Sequence, residues 1–400
     1  MPDSRSVYIS GSGIVCAAGL CTREVLSTLL AGTCGIAPVR YLQTGHREFP
    51  VGEVKLSDAL MCDRLGIPED EITTRTALQG MMALGEALEN AGLSREDLRS
   101  AGFISGTTVG GMDRSENCYL DFIENDSKNA YLRTHDCGSC SEMIADHFGD
   151  FAFIETISTA CSSAANAIGL AAEMIRAGEA EIVVAGGAEC ITRFHLNGFN
   201  TLMILDRRPC RPFDAERAGL NLGEGAAYLV LESEESLRRR GASPLARLSG
   251  YGNACDAFHQ TASSPDGEGA YLAMCKALDD AGLRPEDIDY INAHGTGTPN
   301  NDLSESRAML RLFGEKLPPM SSTKSITGHT TSASGAIESV ICLLALREKF
   351  LPVNYGWSTP MAEVPVRPNM DISRGTVLRH VLCNSFGFGG NDSSLVISAL

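Results

Sequence analysis

The segment Ala87-Leu88-Glu89-Asn90-Ala91-Gly92-Leu93-Ser94-Arg95-Glu96-Asp97-Leu98 occurs twice in this chain, and its repetition indicates the fold. The second copy begins 190 residues later and reads Ala277-Leu278-Asp279-Asp280-Ala281-Gly282-Leu283-Arg284-Pro285-Glu286-Asp287-Ile288. Each copy predicts a helix that ends at a glycine, followed by an acidic turn and an apolar strand. The predicted strands are residues 102–105 and 289–293. The chain therefore contains two related α/β units.

A second, weaker repetition relates two small-residue helices. The helix that begins near Ser163 has a counterpart 169 residues later. In that register Cys161 lies opposite Thr330, next to His329. If the two units pack about a pseudo-dyad, both helix starts point into one site.

Strands and helices alternate throughout, which predicts an α/β fold and not a helical bundle or a β-sandwich. Residues 182–187 and 226–231 read as fully buried strands. A charged helix and the stretch near Ser243-Pro244 mark the best boundary between the two α/β units. We expect two closely packed halves, residues 1–245 and 246–400.

Composition narrows the class of protein. The chain has 400 residues, 44% of them apolar, and a net charge of −17, which argues against nucleic acid and membrane-surface partners. No secretory signal is recognisable, and no apolar run approaches the roughly 20 residues of a membrane span. Fourteen cysteines in such a chain predict reduced thiols and a cytoplasmic protein. Cys137 and Cys140 form a lone C-x-x-C, so no metal site is expected.

Cys161 has surroundings that favour chemistry. It lies in Thr159-Ala160-Cys161-Ser162-Ser163, where a predicted strand passes into a small-residue helix. A helix N-terminus favours the thiolate form of cysteine. Small neighbours admit a substrate, and nearby backbone N–H groups can donate to a developing oxyanion.

Three further motifs follow in the second half. They are Asn292-Ala293-His294-Gly295-Thr296-Gly297-Thr298, Thr323-Lys324-Ser325-Ile326-Thr327-Gly328-His329 and Asn384-Ser385-Phe386-Gly387-Phe388-Gly389-Gly390. Glu338, on the helix after His329, could pair with Lys324. The glycines around Phe388 could form a gate and half of an oxyanion hole. A cysteine with two histidines, and without a carboxylate base, suits carbon–carbon bond formation more than hydrolysis.

In this order and spacing, the four motifs resemble those of the elongating β-ketoacyl-acyl-carrier-protein synthases. The resemblance extends from about Val7 to the C-terminus. It implies a thiolase-like, five-layered αβαβα fold made of two duplicated halves, usually found as a dimer. It also implies substrates carried on the phosphopantetheine of an acyl carrier protein, with no cofactor bound by the chain itself.

The resemblance implies a role for each matching residue. Cys161 would accept the acyl chain, and His294 and His329 would assist decarboxylation of a malonyl thioester. The N–H groups of Cys161 and Phe388 would form the oxyanion hole, and Lys324 with Glu338 would organise the site electrostatically. The remaining implied residues are Thr296 and Thr298 on the pantetheine arm, Phe199 and Val109 in the acyl pocket, and Asp302 and Glu305 as structural support.

The sequence also departs from the family pattern. Asn391-Asp392 replaces the usual Thr-Asn, and residues 330–332 are unusually polar. The usual basic docking segment reads Ile67-Pro68-Glu69-Asp70-Glu71, so the nearest basic cluster for a carrier protein is Arg207, Arg208 and Arg211. These differences point to a specialised polyene or polyketide synthase as well as to fatty-acid elongation.

Two other classes of protein remain as alternatives. A thiolase-type acyl-CoA acyltransferase needs a second cysteine, and Cys383 lies outside the expected glycine motif. A chain-length factor, the inactive partner of this fold, lacks the nucleophile that Cys161 supplies. Such a factor remains a plausible partner, so a homodimer and a heterodimer are both open.

Overall fold

The computed structural model describes residues 5–68, 70–124 and 129–400; Glu69 of the acidic segment lies outside them. The strands in these ranges are β1 (Val7–Cys16), β2 (Gly102–Gly106), β3 (Phe153–Ile157), β4 (Ile182–Glu189), β5 (Gly225–Ser233), β6 (Ala246–Cys255), β7 (Tyr290–Asn292), β8 (Met320–Ser321), β9 (His380–Gly387) and β10 (Asn391–Ser398). The α-helices are α1 (Thr22–Ala31), α2 (Asp58–Leu65), α3 (Arg75–Ala91), α4 (Arg95–Leu98), α5 (Met112–Glu124), α6 (Asn129–Leu132), α7 (Cys137–Phe148), α8 (Ser163–Ala177), α9 (Arg193–Thr201), α10 (Glu234–Arg240), α11 (Glu268–Ala281), α12 (Pro299–Phe313), α13 (Lys324–Thr327) and α14 (Ser334–Glu348).

The strands follow the same path twice. The order across the sheet is β3-β2-β4-β5-β1-β6-β10-β9-β7-β8, so each set of five has its third, second, fourth, fifth and first strands side by side. In both sets the second strand runs parallel to the third and to the fourth. The fifth strand runs antiparallel to the fourth and to the first. A short pairing of Val7–Ile9 with residues 246–248 joins the two sets. The predicted duplication is confirmed, and the division at residue 245 stays a prediction.

The hydrophobic core has four clusters of buried residues, and three of them define five layers. The two sets of strands stack as two five-stranded layers, here called the first and second sheets. Helices α3 and α7 pack on the outer face of the first sheet, and α11 and α12 pack on the outer side of the second. Helices α8 and α14 lie between the two sheets in the central cluster. The predicted αβαβα arrangement is confirmed.

The repeated segment forms the same local structure in both halves. Helices α3 and α11 end at Gly92 and Gly282, both with a φ of +64°, a conformation that glycine adopts without steric cost. A capping arrangement follows each, with Asp97 accepting from the Ser94 backbone N–H and Asp287 from that of Arg284. Sequence similarity therefore reports the same helix-turn-strand unit twice.

None of the helices in the described ranges is both long enough and apolar enough to cross a membrane.

Candidate active site

A cavity of about 330 Å³ lies where the two halves meet at the starts of α8 and α14. Among its lining residues are Cys161, Phe199, Ile204, Leu220, Asp256, His259, His294, Thr296, Thr298, His329, Phe386, Phe388 and Asp392. Gly335 on α14 lies against the backbone of Ala165 on α8, where an added Cβ would be 2.7 Å from the Ala165 nitrogen. The helix starts thus meet, as the weaker repetition predicts.

Cys161 occupies a tight turn between β3 and α8. The preceding Ala160 has a φ of +51°, in the left-handed region that non-glycine residues seldom adopt. Ser163 holds the turn closed: its hydroxyl accepts from the Thr159 N–H at 2.9 Å and donates to the Ala160 carbonyl at 2.6 Å. Strain at a supported turn is typical of functional sites. The side chain of Cys161 consequently reaches the cavity from just before the helix.

Burial favours the protonated form of the Cys161 thiol at neutral pH. Burial raises its pKa to about 12, although Lys324 and the N–H of Phe388 both act to lower it. The expectation of a stabilised thiolate at the helix start is therefore wrong for the closed cavity, because desolvation outweighs the favourable charges. The thiol must pass its proton on when it reacts.

The glycine-rich turn after β9 covers the nucleophile. The Phe388 N–H is directed at the Cys161 sulfur. At Gly387 an added Cβ would be 3.0 Å from the Thr159 carbonyl oxygen and 3.2 Å from the Cys161 nitrogen. The Phe388 ring stacks on Phe199 with centroids 5.8 Å apart. The predicted gate thus contacts both the nucleophile and the predicted acyl pocket.

The two histidines lie side by side in the cavity. The ring centroids of His294 and His329 are 5.2 Å apart, in an edge-on arrangement. Burial, followed by the positive charge of Lys324, holds the pKa of each histidine well below its usual range, so both imidazoles are neutral. The Lys324 Nζ lies 3.2 Å from the His294 Nδ1. An ammonium only donates, so Nδ1 accepts and the His294 Nε2 carries the proton.

Lys324 and Glu338 form a buried ion pair, as predicted. Their Nζ and Oε1 atoms are 2.5 Å apart, and both side chains are almost fully excluded from solvent. Burial raises the pKa of Glu338 to about 7, and Lys324 opposes that rise. The Nδ1 of His329, in turn, lies 3.0 Å from the Ser334 hydroxyl at the start of α14. Both imidazole rings are thereby held in orientation.

Two buried carboxyl groups support the His294 loop. Glu305 accepts the backbone N–H groups of His294 and Gly295, each at 2.8 Å, and burial raises its pKa to about 7. Asp302 accepts the Gly297 N–H at 3.1 Å. The side chains of Asn384 and Arg217 also contact Glu305 and Asp302 respectively, and neither carboxyl is in the described lining of the cavity. The structural role expected of them stays a prediction.

Thr296 and Thr298 lie on the cavity wall. Their hydroxyl oxygens are 2.9 Å apart, next to the His294 loop. This position suits the hydrogen bonding of an extended polar chain, and the binding of a pantetheine arm stays a prediction.

Val109 differs from the other predicted residues, because it is absent from the described lining of the cavity. Its N–H donates instead to Glu189 at 3.1 Å, at the buried end of β4. Glu189 also accepts from the Thr108 N–H and from the hydroxyls of Thr331 and Ser332. Two of the three polar residues after His329, Thr331 and Ser332, thus satisfy a buried carboxylate. Sequence reasoning missed Glu189, although those hydroxyl residues were the signal for it.

The predicted basic cluster divides in two. Arg207 and Arg208 are exposed. Arg211 is mostly buried, and its guanidinium donates to the Glu216 carbonyl at 2.6 Å and faces the carboxylate of Asp214. Arg211 is therefore engaged within the protein.

Cys383 is the candidate for the second cysteine that a thiolase-type enzyme needs. It lies in the core between the sheets and is 1% exposed. Cys161 is the only one of the two that reaches the cavity described here. Two sheets of repeated topology, with the nucleophile at the start of a central helix and two neutral imidazoles opposite, define the class of thiolase-like condensing enzymes.

Comparison with known proteins narrows the class to a family. Residues 4–236 match the beta-ketoacyl synthase N-terminal domain, and residues 245–357 match the C-terminal domain of the same family. The chain therefore belongs to the beta-ketoacyl synthases.

Individual relatives extend over the whole chain. A 3-oxoacyl-[acyl-carrier-protein] synthase 2 of Vibrio cholerae is 33% identical, covering 100% of both chains. The ishigamide ketosynthase/chain length factor structure has a TM-score of 0.90 at 32% identity, covering 99% of this chain and 100% of that one. A type II polyketide ketosynthase, solved with its acyl carrier protein and bound to the hexaketide, has a TM-score of 0.89 at 27% identity, covering 100% of both.

Proposed function

We propose that the protein is a 3-oxoacyl-[acyl-carrier-protein] synthase, which condenses an acyl chain with a malonyl group, both carried on phosphopantetheine. The observation that supports this most is the convergence of Cys161, two neutral imidazoles and the Phe388 N–H on one cavity. Among the described residues, the hydrogen-bond partners of the two imidazoles are Lys324 and Ser334, and neither is a carboxylate of the kind that would activate water for hydrolysis.

The first step is acyl transfer. The Cys161 sulfur attacks the thioester carbonyl carbon of the incoming acyl chain. The backbone N–H groups of Cys161 and Phe388 donate hydrogen bonds to the carbonyl oxygen. The carbon–sulfur bond to pantetheine breaks, and the proton of the Cys161 thiol leaves on the pantetheine thiol. The apolar residues Phe199, Ile204 and Leu220 on the cavity wall suit an acyl chain.

The second step is decarboxylative condensation. The bond between the malonyl carboxylate and its α-carbon breaks and releases CO₂, while the protonated Nε2 of His294 stabilises the enolate oxygen together with His329. The α-carbon attacks the acyl-Cys161 carbonyl, and the carbon–sulfur bond to Cys161 breaks. The Cys161 thiolate that leaves takes up one proton from solvent, as its raised pKa favours. The product is a 3-oxoacyl thioester two carbons longer.

We also propose where and with whom the chain works. Fourteen cysteines, all free in the described ranges, suit the reducing cytosol. The exposed Arg207 and Arg208 are the proposed contact with an acidic carrier protein. Similarity to a ketosynthase/chain length factor structure supports a heterodimer as well as a homodimer.

The test combines the purified chain with malonyl-carrier protein and a panel of acyl-carrier proteins, and detects 3-oxoacyl products by mass spectrometry. Products from saturated chains of several lengths support fatty-acid elongation. Products from unsaturated chains alone support a polyene or polyketide pathway. Absence of any 3-oxoacyl product, both alone and with candidate chain-length-factor subunits, would overturn the proposal.

A further inference from the structure

Asn391, the first residue of β10, contacts both of the turns that supply the proposed oxyanion hole. One N–H of that hole belongs to Cys161 in the first half of the chain, and the other belongs to Phe388 in the second half. Two donors serve one oxygen atom only if their separation is fixed before the reaction. Contacts between the two turns must therefore set that separation.

The backbone of Asn391 determines where the turn of Phe388 lies. Asn391 is paired with Gly387 in the antiparallel β9-β10 ladder, so only residues 388–390 connect the two strands. The two glycines of this connection have φ values of +84° and +77°, which allows so short a segment to reverse the chain. The Phe388 N–H thus lies one residue beyond a ladder position that Asn391 occupies.

The side chain of Asn391 reaches the turn of the nucleophile. Ser162 directly follows Cys161, and its buried hydroxyl donates to the Asn391 Oδ1 at 2.8 Å. The same hydroxyl lies 2.8 Å from the Thr159 carbonyl oxygen, so it shares one proton between two acceptors. The Asn166 Nδ2, on α8, donates to the Asn391 Oδ1 and to the Thr159 hydroxyl, each at 2.8 Å. Asn391 is thus linked to the chain before and after the nucleophile.

The orientation of the Asn391 amide is fixed from a further side. The Asn253 Nδ2, on β6, donates to the Asn391 Oδ1 at 2.8 Å and to the Ser393 hydroxyl at 2.9 Å. Because an amide nitrogen only donates, the atom of Asn391 that Asn166 and Asn253 both approach must be the acceptor oxygen. The Tyr251 hydroxyl orients Asn166 in the same way, by donating to its Oδ1 at 2.9 Å.

We propose that Asn391 is a positioning residue for acyl transfer, because it sets the separation of the Cys161 and Phe388 N–H groups that receive the oxyanion. This inference rests on the proposed attack of Cys161 on a thioester. Asn391 is not among the described residues that line the cavity, so it acts through the two turns. A displacement of about 1 Å between reacting groups can cost about a hundredfold in rate.

The experiment compares two reactions of the Cys161 thiol in the full chain. The S-acetyl thioester of N-acetylcysteamine acylates the sulfur through an oxyanion; its own carbon–sulfur bond breaks, and the thiol proton leaves on N-acetylcysteamine. Iodoacetamide alkylates the sulfur by displacing iodide from a saturated carbon, and the thiol proton passes to solvent, so no oxyanion forms. Peptide mass spectrometry gives both rates at Cys161. Their ratio cancels the ionisation of the thiol, which both reactions require.

We predict that Asn391→Ala lowers the ratio of acylation to alkylation by about tenfold or more, since loss of one oxyanion donor costs about 10²–10³. Asn391→Asp keeps an acceptor oxygen in place and should retain most of the wild-type ratio. The matched control is Asn90→Ala on the outer helix α3, which removes a hydrogen bond to the Ser12 carbonyl and should leave the ratio unchanged.

An unchanged ratio in Asn391→Ala, or an equal fall of both rates, would overturn the proposal. If urea unfolding shows that Asn391→Ala does not fold, Ser162→Ala gives the decision from the other side of the contact. Its ratio should also fall, and an unchanged ratio there would overturn the proposal.

The acylation reaction needs neither a carrier protein nor a malonyl group, which separates this proposal from the proposed function. A wild type that is acylated but yields no 3-oxoacyl product would contradict the condensation alone. A wild type that is alkylated at Cys161 but never acylated would overturn the positioning role of Asn391.

Discussion

The buried ammonium group of Lys324 links a carboxylate to one of the two cavity imidazoles. It lies 2.5 Å from Glu338 and 3.2 Å from the Nδ1 of His294. Because the ammonium fixes which nitrogen of His294 carries the proton, Lys324 acts on the reaction through the imidazole. It is therefore a positioning residue.

Replacement of Lys324 by methionine should be strongly destabilising. It leaves Glu338 as an uncompensated buried charge, a change that typically costs about 3–5 kcal/mol of unfolding free energy. The double variant Lys324→Met/Glu338→Gln should recover more than half of the loss. Urea unfolding of the two variants and the wild type at pH 8 checks this. Equal stability of the single and double variants would contradict the ion-pair account.

The two neutral histidines predict how stability depends on pH. Their pKa values are lowered in the folded protein, so below about pH 6.5 the unfolded chain binds protons that the folded chain does not. The free energy of unfolding should therefore fall as pH drops below 6.5, by about 1.4 kcal/mol per pH unit for each such group. The stability at higher pH is unaffected by this effect.

The matched variant for this prediction is His294→Asn, which removes one of the two groups. Its loss of stability between pH 6.5 and pH 5, measured by urea unfolding, should be less steep than that of the wild type. Identical slopes would mean that His294 is protonated in the folded protein.

At the scale of single residues, short motifs were sufficient to predict which side chains meet. Cys161, His294, His329 and Phe388 line one cavity, as the spacing of the motifs suggested. The pKa of the Cys161 thiol could not be predicted, because it depends on how completely distant segments bury the sulfur. The same holds for Glu189, whose partners come from two segments that are distant in the sequence, residues 107–109 and 331–332.

At the scale of elements, close contact between strands and helices depends on glycine pairs that repeat in both halves. An added Cβ at Gly13 in β1 would lie 2.0 Å from the Ala83 carbonyl oxygen on α3. At Gly252 in β6 it would lie 2.2 Å from the Ala273 carbonyl oxygen on α11. These glycines therefore let each outer helix rest directly on its sheet.

Substitution of either glycine by alanine should push the outer helix away from the sheet. We expect Gly13→Ala and Gly252→Ala each to lower the free energy of unfolding by about 1–3 kcal/mol, the usual cost of overpacking, or more. The matched control is Gly138→Ala in α7, where nothing lies within 4 Å of the added Cβ. There the higher helix propensity of alanine should be neutral or slightly stabilising. Urea unfolding compares the three variants, and equal effects at all three sites would contradict the close-contact explanation.

The helices and strands of the repeated segments were predicted well from the sequence. The same helix-turn-strand pattern appears twice because each copy packs in the same way against its own sheet. The Gly11-Ser12-Gly13 stretch shows where the pattern was incomplete. Its two glycines carry no motif that the sequence analysis used, because their role depends on the position of α3 against β1.

At the scale of the whole molecule, the protein must receive its substrate from a carrier despite a net charge of −17. If the exposed Arg207 and Arg208 form the docking contact, Arg207→Glu/Arg208→Glu should raise the KM for acyl-carrier protein about tenfold at low salt. The effect should shrink at high salt, because screening weakens surface charge interactions.

Two controls make this prediction specific. The rate with a small acyl thioester that lacks the carrier should not change in the double variant. Arg238→Glu/Arg239→Glu, on exposed positions of α10, should leave the KM for acyl-carrier protein unchanged. Equal increases in KM for both double variants would indicate a general charge effect and contradict docking at Arg207 and Arg208.

The central claim is that both halves build one site in which Cys161 carries the acyl chain and the histidines drive decarboxylation. Intact-mass analysis after incubation with acyl-carrier protein tests it most directly, combined with CO₂ release from malonyl-carrier protein. The account predicts one acyl adduct on the wild type, none on Cys161→Ala, and continued CO₂ release by that variant without condensation. An acyl adduct or a 3-oxoacyl product from Cys161→Ala would contradict it.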